Sequence, residues 1–78
     1  MKIELRLYSS LSVYMPETHG ASLVVDINEG ISIWELLGQF KVPPDLAKII
    51  FLNGVHAQGD EVLKEGDRIG VFPLIAGG

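Results

Sequence analysis

One carboxylate in this sequence stands where it could react. The chain closes with Phe72-Pro73-Leu74-Ile75-Ala76-Gly77-Gly78, an apolar run, a proline and two glycines that carry the α-carboxylate. A domain more often frays into polar residues at its ends. Glycines have no Cβ, so such an end could pass through a narrow channel in a partner. The only group it delivers is the carboxylate, which becomes an acylating centre once activated. The bland alternative is a chain end that happens to finish in glycine, and composition alone does not dismiss it. Against it, Leu74 and Ile75 are apolar where a solvated tail would be polar, and a small chain has little core left to cover them.

Other residue types with chemical potential fall away on spacing. His19 and His56 lack a second ligand at metal spacing and read as surface histidines. Asp60, Glu61, Glu65 and Asp67 cluster between Gly59 and Arg68. A general acid–base pair needs a pocket that pushes two pKa values apart, and a short chain offers little room for one. They read as turn residues on a solvated face, with a docking patch as the weaker reading. None of the glycines falls in a phosphate-binding spacing; Gly54, Gly59 and Gly66 read as turn positions that accept positive φ. Ser10, Ser12 and Ser32 have no triad partners. Phe51 is expected in the core. For Trp34, core packing and a surface anchor are equally plausible readings.

Size and composition frame what remains. The chain has 78 residues, 47% of them hydrophobic, which gives one small domain with one core. It has no cysteine, so no thiolate nucleophile and no disulfide support. Ten acids against six bases leave a formal charge of −4. That argues against nucleic-acid binding, which needs a basic face to displace counterions, and suits a partner with a basic surface. Met1-Lys2-Ile3-Glu4 does not open like a signal peptide. No apolar stretch approaches the ~20 residues that span a bilayer. The expected compartment is the cytoplasm.

The elements that must hold the chain end are legible from periodicity. Lys2 to Tyr8 alternates, with Ile3, Leu5 and Leu7 on one face, and predicts a half-buried strand. Leu11 to Pro16 fits a short helical turn, and Glu17 to Gly20 a turn. Ser22 to Ile27 predicts a second strand burying Leu23, Val25 and Ile27. Ser32 with Glu35 three residues on forms a capping box, and Ile33, Leu36, Leu37 and Phe40 follow as a helical stripe ending before Pro43-Pro44. One helical turn is possible over Asp45 to Lys48. Ile49 to Leu52 predicts a core strand, closed by an Asn53-Gly54 turn and a short return strand from Val55. After the turns around Gly59 and Gly66, Arg68 to Phe72 is the last strand, and Pro73 ends its ladder. The order β-β-α-β-(β)-β fits an α+β domain with a mixed sheet and one main helix across a face. First and last strands side by side in its middle would give the β-grasp, or ubiquitin-like, arrangement.

Three stretches carry a resemblance: Phe51-Leu52-Asn53-Gly54, Leu63-Lys64-Glu65-Gly66-Asp67-Arg68-Ile69, and Phe72 to Gly78. An Asn-Gly turn, a Leu-x-x-Gly-Asp turn, a last strand and a Gly-Gly end at this spacing resemble the MoaD/ThiS sulfur carriers over the whole chain. Phe72-Pro73 is more similar to the molybdopterin synthase small subunits than to the thiamine sulfur carriers, although Leu74 stands where a second proline is frequent. The resemblance implies a β-grasp domain over 1–73 and a flexible Gly-Gly tail over 74–78.

It also implies a mechanism. An E1-like (MoeB/ThiF-like) enzyme uses ATP and Mg²⁺ to adenylate the Gly78 carboxylate, and a sulfur donor protein leads to a C-terminal thiocarboxylate. Gly77 and Ala76 then enter a MoaE-like large subunit gripped through Phe72, Pro73, Leu74 and Ile75, and sulfur passes to a pterin precursor. The chain is thus expected to be a co-substrate with no catalytic residue, bound cofactor or metal of its own, and with neither nucleic acid nor membrane as partner. Three other readings stay open: a thiamine-pathway carrier, a ubiquitin-like modifier joined to lysines, and a β-grasp binding module whose tail is incidental.

Overall fold

The strict alternation of the first strand, β1 (Lys2–Leu7), is realised in its burial: Ile3, Leu5 and Leu7 are inaccessible while Lys2 and Arg6 are exposed. The computed structural model describes residues 1–14 and 22–74. Within them β1 is followed by a 3-10 helix (Ser9–Tyr14), β2 (Ser22–Asp26), the helix α1 (Ile33–Gln39), β3 (Ile49–Leu52), β4 (Val55–Ala57) and β5 (Arg68–Phe72). The five strands form one sheet in the order β2-β1-β5-β3-β4. β1 and β5 run parallel at its centre, and the other neighbours are antiparallel. This is the mixed β-grasp sheet expected from the strand order.

One face of the sheet is the core. Ile3, Leu5 and Leu7 of β1, Ile50 of β3, and Ile69 and Val71 of β5 join Ile33, Leu36 and Leu37 of α1 in one cluster. Leu11 from the 3-10 helix and Leu63 from a later loop belong to it, as do Ile27, Val42, Ala47 and Ala57. Each such side chain contributes ~1.5–3 kcal/mol on burial, which a chain without staples depends on. Leu23 and Val25 of β2 are only half-buried, as befits an edge strand, whereas Ile27 is buried. No helix among the described residues is long and apolar enough to cross a membrane.

Every amide at the start of α1 has a partner. Ser32 and Glu35 form the reciprocal capping box, with Glu35 N donating to Ser32 Oγ at 3.2 Å and Ser32 N to Glu35 Oε1 at 2.9 Å. Ile33 N donates to Glu61 O and Trp34 N to Gly59 O, so the loop at 58–62 covers the helix end. Trp34 is about one-third exposed and spreads its indole over Gly59. A Cβ at Gly59 would fall 2.2 Å from Trp34 Nε1, and Gly59 has φ +113°. The side chain is therefore packed on a glycine at the surface rather than placed in the core, between the two readings its position allowed.

Two expectations need correction. Phe51 is not in the core. The apolar run Ile49 to Leu52 looked buried throughout, yet it alternates: Ile50 faces the core, and Ile49 and Phe51 face the opposite side, half-buried. An antiparallel partner on each side fixes that parity, which an unbroken apolar run conceals. Second, Asp45 to Lys48 does not form a helical turn. Leu46 N bonds Pro43 O and Ala47 N bonds Pro44 O, two successive turns that bring the chain into β3. The predicted turn at Glu17 to Gly20 and His19 lie outside the described residues.

Candidate functional site: the open sheet face and the start of the tail

Strand register assembles the second face of the sheet. Cα partners run Ser22–Arg6–Gly70–Phe51–His56, one row across all five strands. The next row places Phe72 beside Ile49, and Tyr8 continues β1 with its N–H donating to Val71 O at 3.0 Å. Among the described residues, α1 packs on the other face of the sheet.

Aromatic rings organise this face. Tyr8 and Phe72 stack with centroids 4.2 Å apart and planes 2° from parallel. Phe51 meets Phe72 edge-on at 5.9 Å and His56 edge-on at the same distance. These are the geometries that ring quadrupoles favour. Gly70 leaves a gap in the row between Arg6 and Phe51, and a Cβ there would touch Tyr8 Cε2 at 3.4 Å. The result is a cavity of about 280 Å³ over Gly70, with Arg6, Arg68 and the three rings around it. A second, more apolar hollow of about 380 Å³ lies on Ile49, Phe51, Phe72 and Pro73.

The tail begins at the edge of that second hollow. β5 is bonded on both sides to its last residues: Tyr8 N reaches Val71 O, and Lys48 N reaches Phe72 O at 3.2 Å. Pro73 has no N–H, so the ladder stops there. Pro73 is half-buried and Leu74 is 63% exposed. Of the residues predicted to grip a partner, Phe72 and Pro73 line this face, and Leu74 is exposed just beyond them. Ile75, Ala76, Gly77 and Gly78 lie outside the described residues.

The acidic cluster serves the turns that fix β5 in place. Glu61 accepts from Gln58 N at 3.0 Å and Gly59 N at 2.7 Å. Those backbone donors hold its carboxyl below the usual range. Glu65 accepts from Lys2 N, and Asp67 accepts from Lys64 N and the Asn53 carboxamide. Among the described residues no cluster of metal-ligating side chains occurs. On the open face, Arg6 forms an ion pair with Glu4 at 3.1 Å, and its pKa is raised by hydrogen bonding to Tyr8 and to Glu4.

Sequence reasoning found the end of β5 but not the face around it. Alternation along β1 turns Arg6 and Tyr8 outward, and no local pattern links them to Phe51. The missing signal was the parity of β3. A glycine in the middle of the last strand, Gly70, was the available clue, since strand glycines mark close approach or a gap.

Comparison with known proteins agrees with this architecture. No curated protein sequence matches the chain. Among solved structures, SAMP1 from Haloferax volcanii superposes with a TM-score of 0.71 at 17% identity, over 100% of both chains. A Pyrococcus furiosus protein assigned as molybdopterin converting factor subunit 1 gives 0.71 at 22% identity, over 95% of this chain and 98% of that one. The complex of subunits 1 and 2 of the molybdopterin-converting factor from Helicobacter pylori contains a chain similar at 21% identity, with a TM-score of 0.64 and full coverage of both. These likenesses establish the shared fold. The model of the ThiS family matches residues 14–78, most of the sequence, so with its β-grasp sheet and Gly-Gly end the chain belongs to the ThiS family of small sulfur-carrier proteins.

Proposed function

We propose that this chain is the small subunit of a molybdopterin synthase and carries sulfur on Gly78. The observation that carries the reading is the exit of the chain at Pro73 from the central strand, directly beside an uncovered aromatic face. A partner that docks on Phe51, Phe72 and Pro73 takes hold of the chain where the tail starts. The subunit 1 and subunit 2 complex from Helicobacter pylori supplies the kind of partner, a second subunit of the molybdopterin-converting factor.

The chemistry is acyl activation followed by nucleophilic transfer. A carboxylate is a poor electrophile. Attack by the Gly78 carboxylate on the α-phosphorus of ATP, in an E1-like enzyme, expels pyrophosphate and leaves an acyl adenylate. The terminal sulfur of a donor protein's persulfide attacks the acyl carbon and AMP leaves; a thiol then attacks the donor-side sulfur of the acyl disulfide, forming a disulfide with the donor and releasing the thiocarboxylate. The resulting thiocarboxylate is a soft nucleophile, as a thiolate is, and in the large subunit it delivers sulfur to a pterin precursor. This chain contributes docking and reach, and the catalytic groups belong to its partners.

The test is the intact mass of the chain isolated from its native host with the pathway active. A fraction of molecules is expected to have one oxygen replaced by one sulfur at Gly78. No such fraction would remove the carrier reading. A ladder of isopeptide conjugates on blots of the tagged chain would make it a modifier instead. A thiamine requirement on gene deletion, with molybdoenzymes intact, would assign it to the thiamine pathway.

A further inference from the structure

The gap over Gly70 has a chemistry of its own. Its floor is a backbone without a side chain at Gly70, and Tyr8, Phe72, Phe51, Arg6 and Arg68 line it. At about 280 Å³ it is below the ~300–1,000 Å³ typical of small-molecule pockets. It suits one bulky side chain.

The two arginines differ. Arg6 is neutralised by Glu4 at 3.1 Å. Arg68 forms no ion pair with a carboxylate of the described residues. Its neighbour Asp67 is committed elsewhere, Oδ1 to the Asn53 carboxamide and Oδ2 to Lys64 N. The chain as a whole carries a charge of −4, so Arg68 is a local cation on an acidic protein. Screening limits what it can attract to groups within ~8 Å. A carboxylate that answers it must sit at the rim of the gap itself.

We propose that this gap receives a segment of the partner protein in which an aliphatic or aromatic side chain fills the space over Gly70 and an adjacent Asp or Glu pairs with Arg68. The planar fork of Arg68 can take that carboxylate through two hydrogen bonds. The aromatic walls exclude water from the pair and strengthen it. The inference rests on the synthase reading, because it takes the large subunit as the partner, and it specifies what that subunit must present.

Titration calorimetry of the chain against the large subunit encoded by the same genome tests it. Arg68→Glu is expected to weaken association at least ~10-fold, since a desolvated charge at an interface is set against a like charge. Arg68→Lys keeps the charge and is expected to lose only ~3-fold. Gly70→Val fills the gap and is expected to weaken binding ~10-fold. Urea midpoints and Trp34 fluorescence report whether each variant is folded. Should Gly70→Val fail to fold, the Arg68 pair decides alone. Wild-type affinity in Arg68→Glu overturns the inference, and tighter binding would mean the partner is basic at this point. Failure of the wild-type chain to bind the large subunit overturns it too. Intact mass on the same samples separates the two ideas: sulfur on Gly78 with no effect of Arg68→Glu keeps the carrier reading and removes only this one.

Discussion

The Asn53 carboxamide donates to Asp67 Oδ1 at 3.0 Å while its oxygen accepts from Arg68 N at 2.8 Å. Two turns far apart in sequence are thereby locked together at the start of the central strand. Asn53 sits at φ 53°, in the left-handed region that asparagine tolerates better than most residues. Its own N–H donates to Arg68 O at 2.8 Å, so it brackets Arg68 from both sides. Asp67 closes the second turn by accepting from Lys64 N at 2.8 Å. The Asn-Gly and Gly-Asp motifs are one physical device, which sets the register of β5 and hence where Pro73 leaves the sheet.

Asn53→Ala removes both side-chain hydrogen bonds and strains the backbone. We expect a loss of ~2–4 kcal/mol in urea unfolding, from ~0.5–1.5 for each bond and about 1 for the left-handed residue. Asn53→Gly keeps the backbone conformation and isolates the hydrogen bonds, so it should cost roughly 1–3 kcal/mol. No measurable cost in Asn53→Gly would show that the side chain does not link the turns.

The contact between Trp34 and Gly59 gives a second test. A Cβ at Gly59 would collide with the indole, and φ +113° is hostile to any other residue. Gly59→Ala should cost about 2–4 kcal/mol and shift the emission of Trp34, the one tryptophan in the sequence. Trp34→Ala in the same background should recover part of the loss, a coupling of at least ~1 kcal/mol in a double-mutant cycle. Strict additivity would show that the two residues do not touch in solution.

Glu61 makes stability depend on pH. Backbone donors at Gln58 and Gly59 depress its folded pKa below the ordinary 4.5. A depressed carboxyl contributes stability that is fully present above 4.5 and is lost as pH falls through the lower folded value. Asp26 adds a slope of the same sign, held down by the Met1 amine at 3.0 Å and by Lys2. Urea midpoints should therefore fall on acidification below about pH 4.5. Because Glu61 braces the loop under Trp34, the fluorescence of that residue should change over the same range. Glu61→Gln should flatten the Glu61 part of the profile and leave that of Asp26. An unchanged profile would place the acid sensitivity elsewhere.

Legibility tracked how many independent signals a residue carried. Ser32 and Glu35 were readable because capping needs those types at that spacing, and the bonds are present. Ile3, Leu5 and Leu7 were readable because one face alone is apolar. β3 was not: all four of its residues are apolar, so the sequence carries no parity, and only the register against β4 and β5 turns Phe51 outward. The open face followed the same limit. Its rows join residues from five strands, and no local pattern announces that Arg6, Gly70 and Phe51 are neighbours. The likeness of Phe72-Pro73 to known carriers pointed at one margin of that face and left the rest unread.

Ile50 and Phe51 provide the direct check on that parity. Ile50 is buried, whereas Phe51 lies on the open face among His56 and Phe72. Ile50→Ala should cost ~2–5 kcal/mol through the cavity it leaves. Phe51→Ala should cost only ~1 kcal/mol, the loss of edge-on contacts and partial burial. Association with the large subunit should show the reverse order. A Phe51 variant as unstable as the Ile50 variant would return Phe51 to the core.

The last prediction separates body from tail. Among the described residues no hydrogen bond of the ladder extends past Phe72 O, and Leu74 is largely exposed. Deleting Gly77 and Gly78, or extending the chain beyond Gly78, should leave the urea midpoint within ~0.5 kcal/mol of the parent, as for surface changes in general. Sulfur loading should nevertheless vanish in both, because one lacks the reaching glycines and the other has no carboxylate at Gly78. Binding to the large subunit through the open face should survive deletion in weakened form, since Phe51, Phe72 and Pro73 remain. Unfolding of either variant would mean that the tail belongs to the domain. Full activity of the truncated chain would mean that the glycines carry nothing.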